Sequence, residues 1–132
     1  VERAPGLADS LILLIDALDQ HEQKEVADEL FERIWKAHQN RLGLFSGEAS
    51  HYNTQAWVGT RCGRKLDESL ELSLKSLEME PFSPYFLDTL ADIYFMRGDA
   101  KKAVEKEHLS VHIEASSFTW RQYHRFKDAA ED

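Results

Sequence analysis

Long apolar runs are missing from this chain. The longest is Leu11–Ile15, far below the roughly 20 residues a membrane-spanning helix needs, so no membrane insertion is expected. Positive charge is in short supply: 16 Lys and Arg stand against 24 Asp and Glu, a net charge of −8. Such a balance argues against nucleic acid, because nothing would neutralise phosphates over an extended face. Cys62 is the single cysteine, which excludes an internal disulfide framework and leaves the compartment open. Three prolines leave room for long helices, and no glycine-rich loop is present to cradle a phosphate, so no cofactor is expected. The chain opens on Val1 with no charged-then-apolar leader, and reads as a segment of a longer protein whose targeting information lies elsewhere.

What remains is helical periodicity from end to end, with no strand pattern. Leu7, Leu11, Leu14, Ile15 and Leu18 fall on one stripe and predict a helix over Ala8–Gln20, capped by Asp9 or Ser10. A second stripe, Val26, Leu30, Phe31, Ile34, Trp35, His38 and Leu42, predicts a helix over about Glu22–Leu42 that stops in the Gly43–Gly47 stretch. Further helices are predicted over His51–Cys62, Leu66–Glu80 (with Leu66, Leu70, Leu74 and Leu77 as its buried row), Tyr85–Arg97, Ala100–Glu114 and Phe118–Ala129. The punctuation agrees: Ser83 with Pro84 is a cap-then-first-turn pair, Gly98 with Asp99 separates two helices, and Ser116-Ser117 opens the last.

These helices repeat. Leu87, Leu90, Ala91, Tyr94, Gly98 and Ala103, shifted back by 34, land on Asn53, Ala56, Trp57, Thr60, Arg64 and Ser69, and Ala115 lands on Pro81. Ala91 and Ala103 are placed where paired helices cross, and Trp57 takes an interior position. The first two helices align with the same frame through Leu11, Leu14, Ile15, Leu18, Ala27, Phe31 and Ile34. About eight extra residues lengthen the second helix or its loop. A helical-hairpin repeat of this period resembles the tetratricopeptide family. The Leu87–Asp99 stretch looks like its first helix and Ala100–Val104 like the start of its second. Asn53, Ala56, Trp57, Arg64, Leu66, Asp67 and Glu68 resemble a bacterial subgroup. Ser69, Ser73 and Ser76 depart from the family's small-apolar and aromatic residues, and Arg64 sits where glycine is common.

The resemblance implies an all-α, right-handed α-solenoid of three hairpins, at about 8–45, 50–83 and 84–115, with a capping helix at about 117–130, in one domain. It also implies a scaffold that binds a protein or peptide segment in the groove lined by first helices, without catalysis. Places where chaperone-binding members clamp a terminal carboxylate read Ile12, Asp16, Gln55, Tyr85 and Thr89 here, none of them basic. The candidate groove residues are Asp16, Val58, Tyr85, Asp88, Asp92 and Phe95, with Asp9, Asp19 and Met96 alongside. They compose an acidic face suited to a segment with basic and apolar residues, or else a set of ordinary solvated acids. In the last helix Trp120 and Tyr123 either cap the stack or form a second interface, to a partner or to a second copy in a homo-oligomer. The alternative role is a structural, self-associating module.

Chemistry-bearing groupings are sparse. His108 and His112 lie four apart on a helix, within reach of a common metal, but the His-Glu-x-x-His pattern and a third ligand are absent, so no metal is expected. Cys62 with His51, and adjacent acids such as Glu78/Glu80 or Asp67/Glu68, suggest no dry pocket in which a pKa would shift. An enzyme is not expected.

Overall fold

A computed structural model describes residues 7–44 and 47–131. Seven helices lie among the described residues: α1 (Leu7–Gln20), α2 (Lys24–Leu44), α3 (Ala49–Arg61), α4 (Leu66–Met79), α5 (Pro84–Met96), α6 (Ala100–Ile113) and α7 (Ser117–Glu131). No strand occurs among them, and the architecture is all-α, built from helical hairpins in the manner of a solenoid. The chain divides into two compact units, 1–45 and 46–132.

Each hairpin turns in the same way. At Gly98, φ is +89°; Asp99 N–H bonds back to the Tyr94 carbonyl at 2.8 Å and Gly98 N–H to the Phe95 carbonyl at 3.0 Å. This is the Schellman closure, which satisfies carbonyls orphaned at a helix end and demands a left-handed residue. Gly63, at φ +66°, repeats it, with Arg64 bonding back to Gly59 and Gly63 to Thr60. The glycine of the middle repeat is therefore Gly63, one residue ahead of the 34-residue shift that pointed to Arg64. In the first hairpin the same bonds run from Gln23 to Leu18 and from Glu22 to Asp19, and Glu22 takes φ +60° without being glycine. That residue is thus a turn and not the start of α2. The extra length of the first hairpin went into the helix, α2 having 21 residues where α4 and α6 have 14.

Helix starts follow the punctuation. Ser83 Oγ accepts from Phe86 N–H, with Pro84 in the first turn, and Asp99 Oδ1 accepts from Lys102 N–H at 3.1 Å. Ser116 and Thr119 exchange backbone N–H and side-chain oxygen reciprocally at 2.9 and 3.1 Å, a capping box that opens α7. Asp9 and Ser10 lie inside α1 and not before it, because the helix already begins at Leu7. Phe45 and Ser46, in the stop read from sequence after α2, lie outside the described residues.

In the first unit α1 packs on α2, and its core is Ile15, Ala27, Phe31, Ile34 and Trp35, with Phe31 and Trp35 stacked 5.6 Å apart. In the second unit α3 packs on α4 and α5, α4 on α5, α5 on α6 and α6 on α7. Ala91 and Ala103 are fully enclosed and meet Phe126 of α7. Phe95 touches the same ring at 4.9 Å.

Core assignments change in both units, and Leu14 and Val26, on the apolar stripes of α1 and α2, are exposed. The buried row of α4 is Ser69, Ser73 and Ser76, all fully enclosed, while Leu74 is exposed. Short side chains on that row let the neighbouring helices approach, and the leucines flank the contact. Trp57 is half-buried and not interior.

Candidate functional site

The first helices of the second unit carry most of the candidate groove, and α5 supplies its centre. On a helix, residues three and four apart share a face, so Tyr85, Asp88, Asp92 and Phe95 form one stripe along α5. Their fates differ. Tyr85 is 65% exposed, and its carbonyl accepts from Thr89 Oγ1. Asp92 is only 3% exposed and is held by two guanidiniums, Arg61 of α3 at 2.5 Å and Arg125 of α7 at 3.5 Å. Arg125 also lies over the Phe95 ring, 4.6 Å from its centroid, so Phe95 is half covered.

Val58, on α3, is 1% exposed and offers nothing to a groove; it belongs to the core. Asp92 leaves the set of exposed acids for a parallel reason, since its charge is spent inside the protein. Asp16 lies in the first unit, exposed, and accepts from Gln20 Nε2 at 3.0 Å. Of the other clamp-equivalent places, Gln55 and Thr89 are buried.

The structure assembles around Asp88 and Asp92 a cluster that sequence reading missed. Glu107 of α6 is 0% exposed and faces Asp88. Burial, with the negative charge of Asp88 second, pushes the Glu107 carboxyl up to about 9. Burial likewise raises Asp88 to about 6, against the opposing pull of its hydrogen bond with Glu107 and the charges of Arg61 and Arg125. Asp92 is raised by burial, with Arg61 and Arg125 holding it down. Arg61, Asp88, Asp92, Glu107 and Arg125 thus tie α3, α5, α6 and α7 together. The available signal was Glu107 itself, an acid one turn after Ala103 on the inward face of α6.

The remaining groupings stay apart or stay inert. His51 pairs with Glu48 at 3.0 Å, and 11 residues of chain put it about 16 Å along the helix from Cys62, which is buried. His108 and His112 stack edge to face at 5.0 Å, and among the described residues no three His, Cys, Asp or Glu side chains could hold a metal. His108 also meets Tyr123, which meets Trp120 and His124. Trp120 is 46% exposed, so the outer faces of α6 and α7 present a continuous run of rings. No described helix is long and apolar enough to cross a membrane.

Comparison with known proteins gives a distant match and no family. No family model matches the chain. It is 22% identical over 130 residues to the mitochondrial import receptor subunit TOM70 of rat, mouse and human. The match covers 98% of this chain and 20% of each of those proteins, so the chain spans about a fifth of their length. These relatives are mammalian, and nothing supports the bacterial subgroup suggested by the sequence.

Proposed function

We propose that this chain is a tetratricopeptide-type interaction scaffold that binds a protein segment and performs no catalysis. The observation that carries the reading is the repeated hairpin, closed three times by the same left-handed turn. Stacked hairpins of this kind make an extended surface and not a pocket for chemistry. The distant likeness to an import receptor subunit points the same way. Two open depressions lie at residues 65–68 with Arg97, and at 97–101 with Ala129 and Ala130, and none of the buried carboxyls lines them. Both units are read as built from hairpins of this type.

The partner segment would lie along α5 and meet Tyr85, the rim of Asp88 and the exposed Met96. Basic and apolar residues suit that face. A photo-crosslinking residue placed at Tyr85, at Trp120 and at the exposed Glu71 of α4 tests it in cells. Adducts at Tyr85 that disappear from Glu71 support the groove. A binding constant for the captured partner should then weaken as the Debye length falls from roughly 10 Å to 3 Å. Equal capture at all three positions, or affinity unchanged by salt, refutes the acidic groove. Capture of a second copy at Trp120 alone favours the self-associating module, for which the exposed rings of α7 are the supporting observation.

A further inference from the structure

We propose that Asp88 and Glu107 are a proton-binding site, sharing one proton in the folded protein, and that loss of this proton unseats α7. The geometry begins with an unmet demand. As carboxylates neither side chain can donate a hydrogen bond, and both Glu107 oxygens and Asp88 Oδ1 are then buried without a partner among the described residues. Buried polar atoms are almost always paired, and a stranded charge is costlier still. A proton on Glu107 makes one of its oxygens a donor to Asp88 Oδ1, which pairs two of the three stranded atoms and leaves the third as the carbonyl oxygen of a neutral acid.

Charge balance gives the same count. The groups facing one another are Arg61 from α3, Asp88 and Asp92 from α5, Glu107 from α6 and Arg125 from α7. Three carboxyls meet two guanidiniums, and both guanidiniums are on Asp92. One added proton makes the cluster neutral; removing it leaves a net negative charge in the interior. The elevated titration of Glu107, to about 9, agrees with a proton held at neutral pH.

An ionised Glu107 needs water, and the cluster opens most cheaply at the helix with least packing. That helix is α7. Its principal packing is on α6, and it is pinned to α5 by Phe126 against Phe95 and by the partly exposed Arg125 on Asp92. The helices α3 and α5 are held on more sides. Alkaline pH should therefore free α7 while α3 stays folded.

Two measurements on the intact chain test it. Infrared spectroscopy at pH 7 should show a protonated carboxyl band that is absent in Glu107→Gln, whose neutral amide mimics the protonated acid. Hydrogen exchange, corrected for intrinsic rates, should show opening of 117–131 rising by up to about tenfold per pH unit between the ordinary Glu107 value of 4.5 and the folded value of about 9, and levelling off above it. Residues 49–61 should keep their protection, and Glu107→Gln should be flat. Asp88→Asn, which removes the like charge, should bring this levelling-off to lower pH and covers the case in which the glutamine variant fails to fold. No carboxyl band at pH 7 overturns the shared proton. A band with pH-independent exchange in α7, or an equal rise in Glu107→Gln, overturns the link to α7.

Discussion

Replacing Ala91 or Ala103 by leucine should destabilise the second unit by about 1–3 kcal/mol each. Both alanines are fully enclosed, and the atoms they face are the Phe126 ring, with Tyr94, Phe95 and Val104 closing the sides. A leucine adds three carbons at a fully enclosed contact, so the ring must move or the helices must part. For a unit the size of 46–132, each kcal/mol lowers Tm by about 4–8 °C, a shift of several degrees at least. Urea unfolding followed by tryptophan fluorescence measures it. A Trp35→Phe background silences the first unit and leaves Trp57 and Trp120 as reporters of the second. Ala115→Leu, at an exposed position, should change stability by less than about 0.5 kcal/mol. Trimming the ring should also rescue the clash: Phe126→Leu in the Ala103→Leu protein should cost less than the two single effects added together. If both leucine variants fall within about 0.5 kcal/mol of the parent, the crossing of α5 and α6 has been misplaced.

The remaining predictions concern titration, a turn and two tryptophans. Glu107 has an ordinary value of 4.5 and a folded value of about 9, so the native state holds the extra proton between them. Stability of the second unit is then greatest in mild acid and falls as pH rises through that window, by at most about 1.4 kcal/mol per pH unit; urea midpoints at pH 5 and pH 8 check the sign, and Glu107→Gln should flatten the slope. Glu22→Gly should stabilise the first unit by about 1 kcal/mol, because it relieves a side chain held at positive φ; no change in thermal unfolding would contradict the turn. Trp35→Ala, which empties a buried site, should cost about 3–5 kcal/mol, and Trp57→Ala distinctly less because Trp57 is half-buried; equal costs would refute that ranking.

All seven helices were legible because each signal is local. Apolar spacing gives the helix, and Ser83-Pro84, Gly98-Asp99 and Ser116 give its ends within a residue or two. The first hairpin's turn was not legible, since Glu22 has the composition of a helix start and only the chain's closure forces it left-handed. The serine row of α4 was misread for another reason: periodicity ranks leucine above serine, whereas close helix approach prefers the smaller side chain. The groove was the least legible part. Asp88 and Asp92 share a face, as the spacing says, but Arg61 lies 31 residues and Arg125 33 residues from Asp92 in sequence. No pattern along one helix reveals that a distant cation has already claimed an acid.

The interiors of the two units differ in kind. Among the described residues, the buried positions of the first unit are all apolar, whereas the second encloses Gln55, Thr60, three serines of α4, Thr89, Asp92, Glu107, Ser110 and Thr119. Exposing apolar surface raises the heat capacity of unfolding, by about 0.45 cal/K/mol per Å², and exposing polar surface lowers it by about 0.26. Per residue, the second unit should therefore unfold with the smaller heat-capacity increment and a flatter curve of stability against temperature. Cooling would weaken the hairpin of α1 and α2 before it weakens the polar-cored helices that follow.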